Sequence, residues 1–226
     1  MSGCLPSDRR HPCLPDAKRL MRMASDNDNF TETAPKVGRG RYDRGYLPHY
    51  DNEVVTQFVT FRLAGSLPTS VLESLRQNLE CGRISEIDYH REIDRYLDMC
   101  EGVKLLGDGR IAASIEQTLL KFDGVKFDLH SWVIMPNHGH ILLSPLPEYS
   151  LAAIMHSIKS FTANFANKTL GRKGRFWSPE YFDRFIRDRV HFANTVRYIE
   201  NNPVKAGLCR SPADWRWSSA WKPEGG

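Results

Sequence analysis

The chain has 226 residues, with 31 Lys and Arg against 27 Asp and Glu, a net charge of +4 and 41% hydrophobic residues. This length suits one compact domain with an appendage, whereas two full domains would be a tight fit. The sequence contains no run near the ~18 uninterrupted apolar residues of a membrane span, and it does not open on the apolar segment of a signal peptide. We therefore expect a cytoplasmic protein with no membrane partner.

Positive charge is concentrated in the C-terminal third of the chain. Residues 151–226 contain 13 Lys and Arg but 6 Asp and Glu. Such a segment suits a polyanionic partner, although an excess of this size also occurs on ordinary solvated surfaces. Charge alone leaves nucleic acid and a solvated face equally open.

The first half of the chain predicts a tail, a strand and several helices. Residues 1–47 show no sustained apolar period, which predicts a disordered N-terminal tail. A strand follows at about 58–63, then helices from about 69, over 83–100 and over 111–122. We expect a single domain over residues 48–222 with a helical insertion at about 83–122. The helix over 83–100 has a sparse apolar stripe of Ile87, Ile93, Tyr96 and Leu97.

The second half predicts a hairpin, a helix, a strand and a final helix. Two β-rich runs flank Pro136 and Asn137, which indicates an antiparallel pair. A short strand over 181–186 precedes a helix that starts near Asp188 and is predicted to end near Asn202, because Pro203 disfavours helical geometry in its predecessor. The alternation predicts an α+β fold with helices covering one face of a sheet. Between these elements Ser150 caps a helix whose predicted core stripe is Leu151, Ile154, Ile158, Phe161 and Phe165.

The first candidate site is the pair His138 and His140. On a strand, residues i and i+2 point to the same face about 6.6 Å apart, so that two imidazoles can converge on one divalent ion. Two half-buried hairpin histidines are the plainer alternative. The apolar residues that follow, from Ile141 to Leu143, indicate a central strand. Imidazoles at the start of such a strand would be buried and would need a polar partner, which a metal ion supplies.

The second candidate is Tyr198 with Asn202 on the last helix. Tyr198 lies off the apolar stripe of that helix, and residues four apart lie over one another on a helix face. The phenol can therefore approach a reacting atom while the amide oxygen reaches a metal. A solvated tyrosine beside a helix-ending asparagine is the alternative.

The third candidate is an interleaving of basic and aromatic residues that fits single-stranded or hairpin nucleic acid better than a smooth duplex. Phe176 and Trp177 can stack on bases or can be core anchors, and the sequence does not decide between these roles. Trp215, Trp217 and Trp221 are simplest as apolar anchors. The basic candidates are Lys159, Arg172, Lys173, Arg175, Arg184, Arg187 and Lys205.

Three segments in this order resemble the single-tyrosine HUH transposases, and most closely the REP-associated tyrosine transposases. They are residues 135–140 (Met-Pro-Asn-His-Gly-His), 182–188 (Phe-Asp-Arg-Phe-Ile-Arg-Asp) and 198–208, which begins Tyr-Ile-Glu-Asn-Asn-Pro. The resemblance runs from about Phe58 to Trp217. It departs at Gly139, where the family usually has a bulky apolar residue, and this change removes packing without removing a ligand.

The resemblance implies a ferredoxin-like antiparallel sheet with helices packed on it. It also implies metal-ligand roles for His138 and His140, with Asn202 as third ligand, and a nucleophile role for Tyr198. The implied activity is nicking and strand transfer on hairpin-forming DNA, with magnesium or manganese as cofactor and a covalent 5′-phosphotyrosine intermediate. The oligomeric state stays open between monomer and homodimer.

Two other functions remain as alternatives. The chain can be an inactive or domesticated relative that binds structured nucleic acid without cutting it. It can also be a metal hydrolase of small molecules, but His138 and His140 lack the further carboxylate or histidine ligands that such sites normally gather.

Overall fold

The computed structural model describes residues 40–43, 48–51, 55–99 and 102–223, with the backbone alone described in the first two ranges. These residues all belong to one compact unit, Pro35–Gly226. The hairpin strands β1 (Gly40–Asp43) and β2 (Pro48–Asp51) pair antiparallel. Residues 40–43 of the predicted tail thus form β1, whereas residues 1–39 and 44–47 of the predicted tail lie outside the described residues.

The strands of the main sheet are β3 (Gln57–Leu63), β4 (Phe127–Ile134), β5 (His138–Pro145) and β6 (Trp177–Phe185), and the helices are α1 (Thr69–Glu80), α2 (Glu86–Asp98), α3 (Gly109–Phe122), α4 (Leu151–Thr169) and α5 (Arg189–Lys205). The four strands are antiparallel and lie in the order β4-β5-β3-β6. With the crossover helices α3 and α4, the chain order is β3-α3-β4-β5-α4-β6, which is the split βαβ arrangement of ferredoxin-like folds. The predicted fold is therefore confirmed.

The two faces of the sheet are covered by different helices. On one face, α3 and α4 pack against the alternate residues Val59, Phe61, Ile141 and Leu143. On the other face, the apolar residues of β3, β4 and β5 meet Ile199 of α5. The prediction of helices on one face alone is wrong, because both faces of these central strands are apolar and both must be covered.

The helices α1 and α2 form a cluster of their own. Leu75 of α1 packs with Tyr89, Ile93 and Leu97 of α2. The insertion predicted at about 83–122 therefore includes two helices that pack differently: α2 belongs to this cluster, whereas α3 packs in the main core. Ile87, which was predicted in the stripe of α2, is 62% exposed.

The stripe of α4 also differs from its prediction. Leu151, Ile154 and Ile158 are buried, whereas Phe161 and Phe165 are 57% and 40% exposed. In the second half of the helix, Thr162 and Ala166 are the buried residues, and the Trp177 indole donates a hydrogen bond to Thr162 (3.0 Å). This contact turns the threonine, rather than Phe161, toward the sheet.

The helix α5 continues three residues past its predicted end. Asp188 caps its start, as predicted to within one residue, and Pro203 lies inside it. Proline removes one backbone donor, but the Ala206 amide still donates to the Asn202 carbonyl (3.0 Å) and Pro203 is buried. Asn202 is therefore held in regular helix, one turn after Tyr198.

The C-terminal segment runs along the outer edge of β4. The Ile134 amide donates to the Trp217 carbonyl (2.8 Å), and the Ser219 amide donates to the Trp132 carbonyl (2.9 Å). Trp215 reaches the same strand through its indole, which donates to the Ile134 carbonyl (3.0 Å). The tryptophans of this segment therefore anchor it to the domain, as the sequence predicts.

Gly139 lies directly across from Phe61 in the β3–β5 pair. A Cβ at Gly139 would lie 2.7 Å from the far end of the Phe61 ring, which is itself 1% exposed. The phenylalanine ring thus fills the space that a bulky residue between the histidines would take. The glycine is matched to its neighbour rather than being a defect in the strand.

We expect Gly139→Ala to lower the free energy of unfolding by about 1–3 kcal/mol, because the buried ring cannot move away freely. Gly107→Ala is the matched control, since an added Cβ there meets nothing within 4 Å, and it should change stability by less than about 0.5 kcal/mol. Urea unfolding of both variants measures the difference. Equal stabilities would contradict the packing argument.

Candidate metal centre and nucleophile

His138 and His140 converge on the face of β5 that α5 covers. Both side chains are fully buried, and their Nε2 atoms are 3.1 Å apart. Two nitrogen ligands at right angles on one ion, with bonds of about 2.1 Å, would be about 3 Å apart. The spacing of the pair therefore suits a single shared cation.

The outer nitrogens of both rings are held by the protein. His138 Nδ1 lies 2.7 Å from the Asn137 side-chain oxygen, and the Asn137 amide donates to the Leu97 carbonyl (3.1 Å). His140 Nδ1 lies 2.9 Å from the Thr60 hydroxyl, across the β3–β5 pair. Because the Nδ1–H of His138 donates a hydrogen bond to Asn137, the lone pair of Nε2 points inward, as in metal-binding histidines.

Burial keeps both imidazoles neutral. Removal from water lowers the pKa of His138 to about 3, with a smaller contribution from the positive charge of Lys205. The pKa of His140 is lowered well below its usual value by the same burial and by the neighbouring His138. Neutral imidazole is the form that binds metals, so no proton need be displaced at neutral pH.

Two buried oxygens beside the pair lack a hydrogen-bond partner among the residues that the structure describes. One is Oδ1 of Asp98, whose side chain is 9% exposed, and the other is Oδ1 of Asn202. Ligand atoms of Asp98, His138 and His140 all lie within 4.8 Å of one another, and the Asn202 amide nitrogen is 3.4 Å from His140 Nε2. Two imidazoles, a carboxylate and an amide fit a divalent cation.

Tyr198 approaches the same place from α5. Its ring packs edge-on against His140, with centroids 5.5 Å apart, and against Phe58 at 5.8 Å. Its hydroxyl donates to Asp94 of α2 (3.2 Å). Burial, with the negative charges of Asp94 and Asp98, raises the pKa of Tyr198 above its usual value. The phenol is therefore protonated in this state and needs a proton acceptor before it can act as a nucleophile.

A cavity of about 400 Å³ opens beside the tyrosine hydroxyl. Tyr198, Asp94, Arg184 and Lys205 all line it. The Arg184 guanidinium lies 5.7 Å from the Phe58 ring centroid, and Lys205 lies 5.7 Å from that of Tyr198. Lys205 also pairs with Asp98 (2.6 Å). Two of the predicted basic residues therefore lie where a phosphate could meet the phenol.

The other predicted basic residues lie elsewhere. Lys159 joins α4 to β6 by donating to the carbonyls of Ser178 (2.7 Å) and Pro179 (2.8 Å). Arg187 is exposed at the end of β6. The structure thus does not bring the seven basic candidates together, and Arg172, Lys173 and Arg175 are exposed in the loop after α4.

Phe176 and Trp177 are core anchors. They are 2% and 4% exposed and pack with the residues of the α3/α4 face. Trp177 also meets Phe61 edge-on, with ring centroids 5.1 Å apart. In this structure neither ring is available for stacking on a base.

Asp94 and Asp98 are the site residues that sequence reasoning missed. The expectation that no carboxylate joins the histidines is wrong, because α2 brings Asp98 to them. A signal was present in the sequence, since His90, Asp94 and Asp98 recur every four residues and directly follow the apolar positions Tyr89, Ile93 and Leu97. We call His90, Asp94 and Asp98 the polar stripe of α2.

Comparison with known proteins agrees with this geometry. Residues 109–202 match the family model described as transposase IS200 like. This part of the chain is similar to the IS200-like transposases. The IS200-like segment contains both histidines, Tyr198 and Asn202, whereas α1, α2 and the polar stripe of α2 precede it.

Two curated relatives show distant homology to this chain. The REP-associated tyrosine transposase of Escherichia coli (strain K12) is 28% identical over 95 residues, which cover 41% of this chain and 54% of the relative. A putative REP-associated tyrosine transposase of Haemophilus influenzae is 30% identical over 105 residues, with coverages of 41% and 58%. The chain spans little more than half the length of these relatives, and the predicted resemblance is confirmed.

Two solved structures cover larger shares of the chain at lower identity. A REP-associated tyrosine transposase bound to a REP hairpin has a TM-score of 0.44 and 20% identity, covering 79% of this chain and 81% of its own. A putative transposase from Deinococcus radiodurans has a TM-score of 0.29 and 16% identity, with coverages of 71% and 96%.

No helix within the described ranges is long and apolar enough to cross a membrane.

Proposed function

We propose that this chain nicks and rejoins single-stranded, hairpin-forming DNA through a covalent tyrosine link. The observation that carries the proposal is the meeting, within one chain, of the histidine pair with Tyr198 at 5.5 Å between the His140 and Tyr198 rings. The match of residues 109–202 to a transposase family model supports the reaction class. The family segment also makes a small-molecule hydrolase the weaker alternative, although Asp98 now supplies the carboxylate that such an enzyme needs.

His138 and His140, with the free oxygens of Asp98 and Asn202, would hold a magnesium or manganese ion. When bound there, the ion polarises a non-bridging phosphate oxygen and stabilises the charge that develops on it. The protein positions the two imidazoles through Asn137 and Thr60, so that little reorganisation is needed when the ion arrives.

The tyrosine carries out the bond exchange. The oxygen of Tyr198 attacks the phosphorus of a DNA phosphodiester, the bond from phosphorus to the 3′ oxygen breaks, and the chain becomes linked to the 5′ phosphate. The product has a free 3′-hydroxyl. Because the new link is again a phosphodiester, the 3′-hydroxyl of another strand can reverse the attack and give strand transfer without an external energy source.

Basic residues supply the contact with the DNA backbone. Arg184 and Lys205 line the cavity beside Tyr198 and would neutralise the phosphates that flank the reacting one. The exposed loop that contains Arg172, Lys173 and Arg175 would add a second, sequence-independent contact. Arg187 extends the basic surface at the end of β6, whereas the ammonium group of Lys159 is engaged by backbone carbonyls.

The proposal is tested with end-labelled hairpin oligonucleotides that carry randomised single-stranded flanks. Incubation of the protein with the pool and manganese should give a labelled band of protein-linked DNA on a denaturing gel. A native gel of the same samples reports binding. A shifted native band without any covalent band would instead favour the binding module.

A further inference from the structure

The polar stripe of α2 contacts β6 and α5 at three successive turns. His90 stacks on Phe182 with ring centroids 3.4 Å apart, Asp94 accepts the hydrogen bond of the Tyr198 hydroxyl (3.2 Å), and Asp98 accepts from Lys205 (2.6 Å). This stripe lies outside the IS200-like segment of residues 109–202. An element that the family model does not include therefore touches the candidate nucleophile directly.

Asp94 is placed where the proton of the phenol must go. Its carboxylate oxygen is the hydrogen-bond acceptor of the Tyr198 hydroxyl, and both groups line the same cavity. A general base must be within about 2.6–3.2 Å of the proton-bearing atom that it serves. The contact satisfies this geometric condition before any DNA is bound.

We propose that Asp94 is the general base of the cleavage step, so that α2, which precedes the IS200-like segment, contributes a catalytic residue to the site. The inference rests on the proposed function. As the Tyr198 oxygen forms its bond to phosphorus, its proton passes to Asp94, and the bond from phosphorus to the 3′ oxygen breaks. The electron pair leaves with the 3′ oxygen, which is protonated from water. In the rejoining direction, the protonated Asp94 returns its proton to the leaving phenolate.

A purely structural role explains the contact less well. The helix α2 is already held by the buried Leu97, whose carbonyl accepts from the Asn137 side chain, and by its own apolar cluster. A buried carboxylate costs free energy unless it is paired and hydrogen-bonded. A neutral residue would anchor the helix at lower cost, whereas proton acceptance requires the acid.

The electrostatics of Asp94 suit this task. Burial, followed by the neighbouring charge of Asp98, raises its pKa to about 7, and an efficient general base has a pKa near the working pH. The charged groups that act on it are Asp98 of α2, Lys205 of α5 and Arg184 of β6, and the Tyr198 hydroxyl acts on it through its hydrogen bond. The same cavity is also lined by Glu86, His90, Arg91 and Asp183.

The test compares Asp94→Asn with the wild-type chain in single-turnover formation of the covalent adduct. Asparagine keeps the size and can still accept the hydrogen bond, but it cannot take the proton. We expect the rate to fall about 10²–10⁴-fold, with the dissociation constant for the hairpin changed by less than about twofold. Asp88→Asn is the matched control, because Asp88 lies on the same helix and pairs with Arg91 at the surface, and it should react at the wild-type rate.

The pH profile separates proton transfer from positioning. The wild-type rate should rise with pH as Asp94 loses its proton and then level off, whereas the Asp94→Asn rate should lack this rise. Asp94→Glu, which restores the carboxylate, should recover part of the rate. A variant that reacts at the wild-type rate, or that keeps the wild-type pH profile, would overturn the role of Asp94 alone. A wild-type chain that forms no adduct would overturn the proposed function together with it.

Discussion

Tyr198→Phe should remove the covalent DNA adduct and leave hairpin binding intact. The substitution deletes the one oxygen that the proposal assigns as nucleophile, so adduct formation should fall by about 10³-fold or more, to background. The ring itself remains against Phe58 and His140, which preserves the packing of α5. The lost hydrogen bond to Asp94 should change the free energy of unfolding by only about 1 kcal/mol.

The measurement is a denaturing gel for the adduct beside a binding titration with the same hairpin. Tyr149→Phe is the matched control, because Tyr149 packs with the main core on the α3/α4 face, away from the histidines. It should form the adduct as the wild-type chain does. An adduct that persists in Tyr198→Phe would refute the assignment of the nucleophile.

The paired change His138→Ala and His140→Ala should abolish metal-dependent nicking. Both side chains aim Nε2 at one point, so removing them removes half of the proposed donor set. We expect cleavage to fall by about 10³-fold or more. Titration calorimetry with manganese should show the loss of the binding signal, and wild-type protein in chelator should reproduce the loss of cleavage with its affinity for the hairpin unchanged.

Two controls keep this result interpretable. His156→Ala removes an exposed imidazole on α4 and should change neither metal binding nor cleavage. Circular dichroism and hairpin affinity show whether the double variant remains folded, since it also empties buried space. Undiminished manganese binding in a folded double variant would contradict the metal site.

Much of the fold follows from short-range pattern. The hairpin of β4 and β5, the Ser150 cap of α4 and the start of α5 all depend on residues near one another in the chain, and each is found where the sequence predicts it. The predictions that are wrong concern elements whose buried face or end depends on contacts between residues distant in the sequence. Thr162, to which the Trp177 indole donates, replaces Phe161 in the α4 stripe, and α5 continues past Asn202 with the buried Pro203 inside it.

The residues of the candidate site likewise include some that local spacing predicts and others that only the structure reveals. The histidine pair and the Tyr198–Asn202 pair are each visible as spacings of two and four residues. Asp94 meets Tyr198 across 104 positions of sequence, on a charged helix whose acids resemble an ordinary solvated face. The four-residue recurrence of His90, Asp94 and Asp98 predicts a shared helix face, but it does not show that this face meets Tyr198, and a three-dimensional structure is required to find that contact.

The C-terminal segment that runs along β4 determines how two copies of this chain can meet. An unpaired outer strand offers its amides and carbonyls to any other extended chain. Here the Ile134 amide and the Trp132 carbonyl are already bonded to the molecule's own Trp217 and Ser219. A second copy therefore cannot pair with residues 132–134 of β4 unless that segment first leaves the edge, which protects this part of the strand from aggregation through strand pairing.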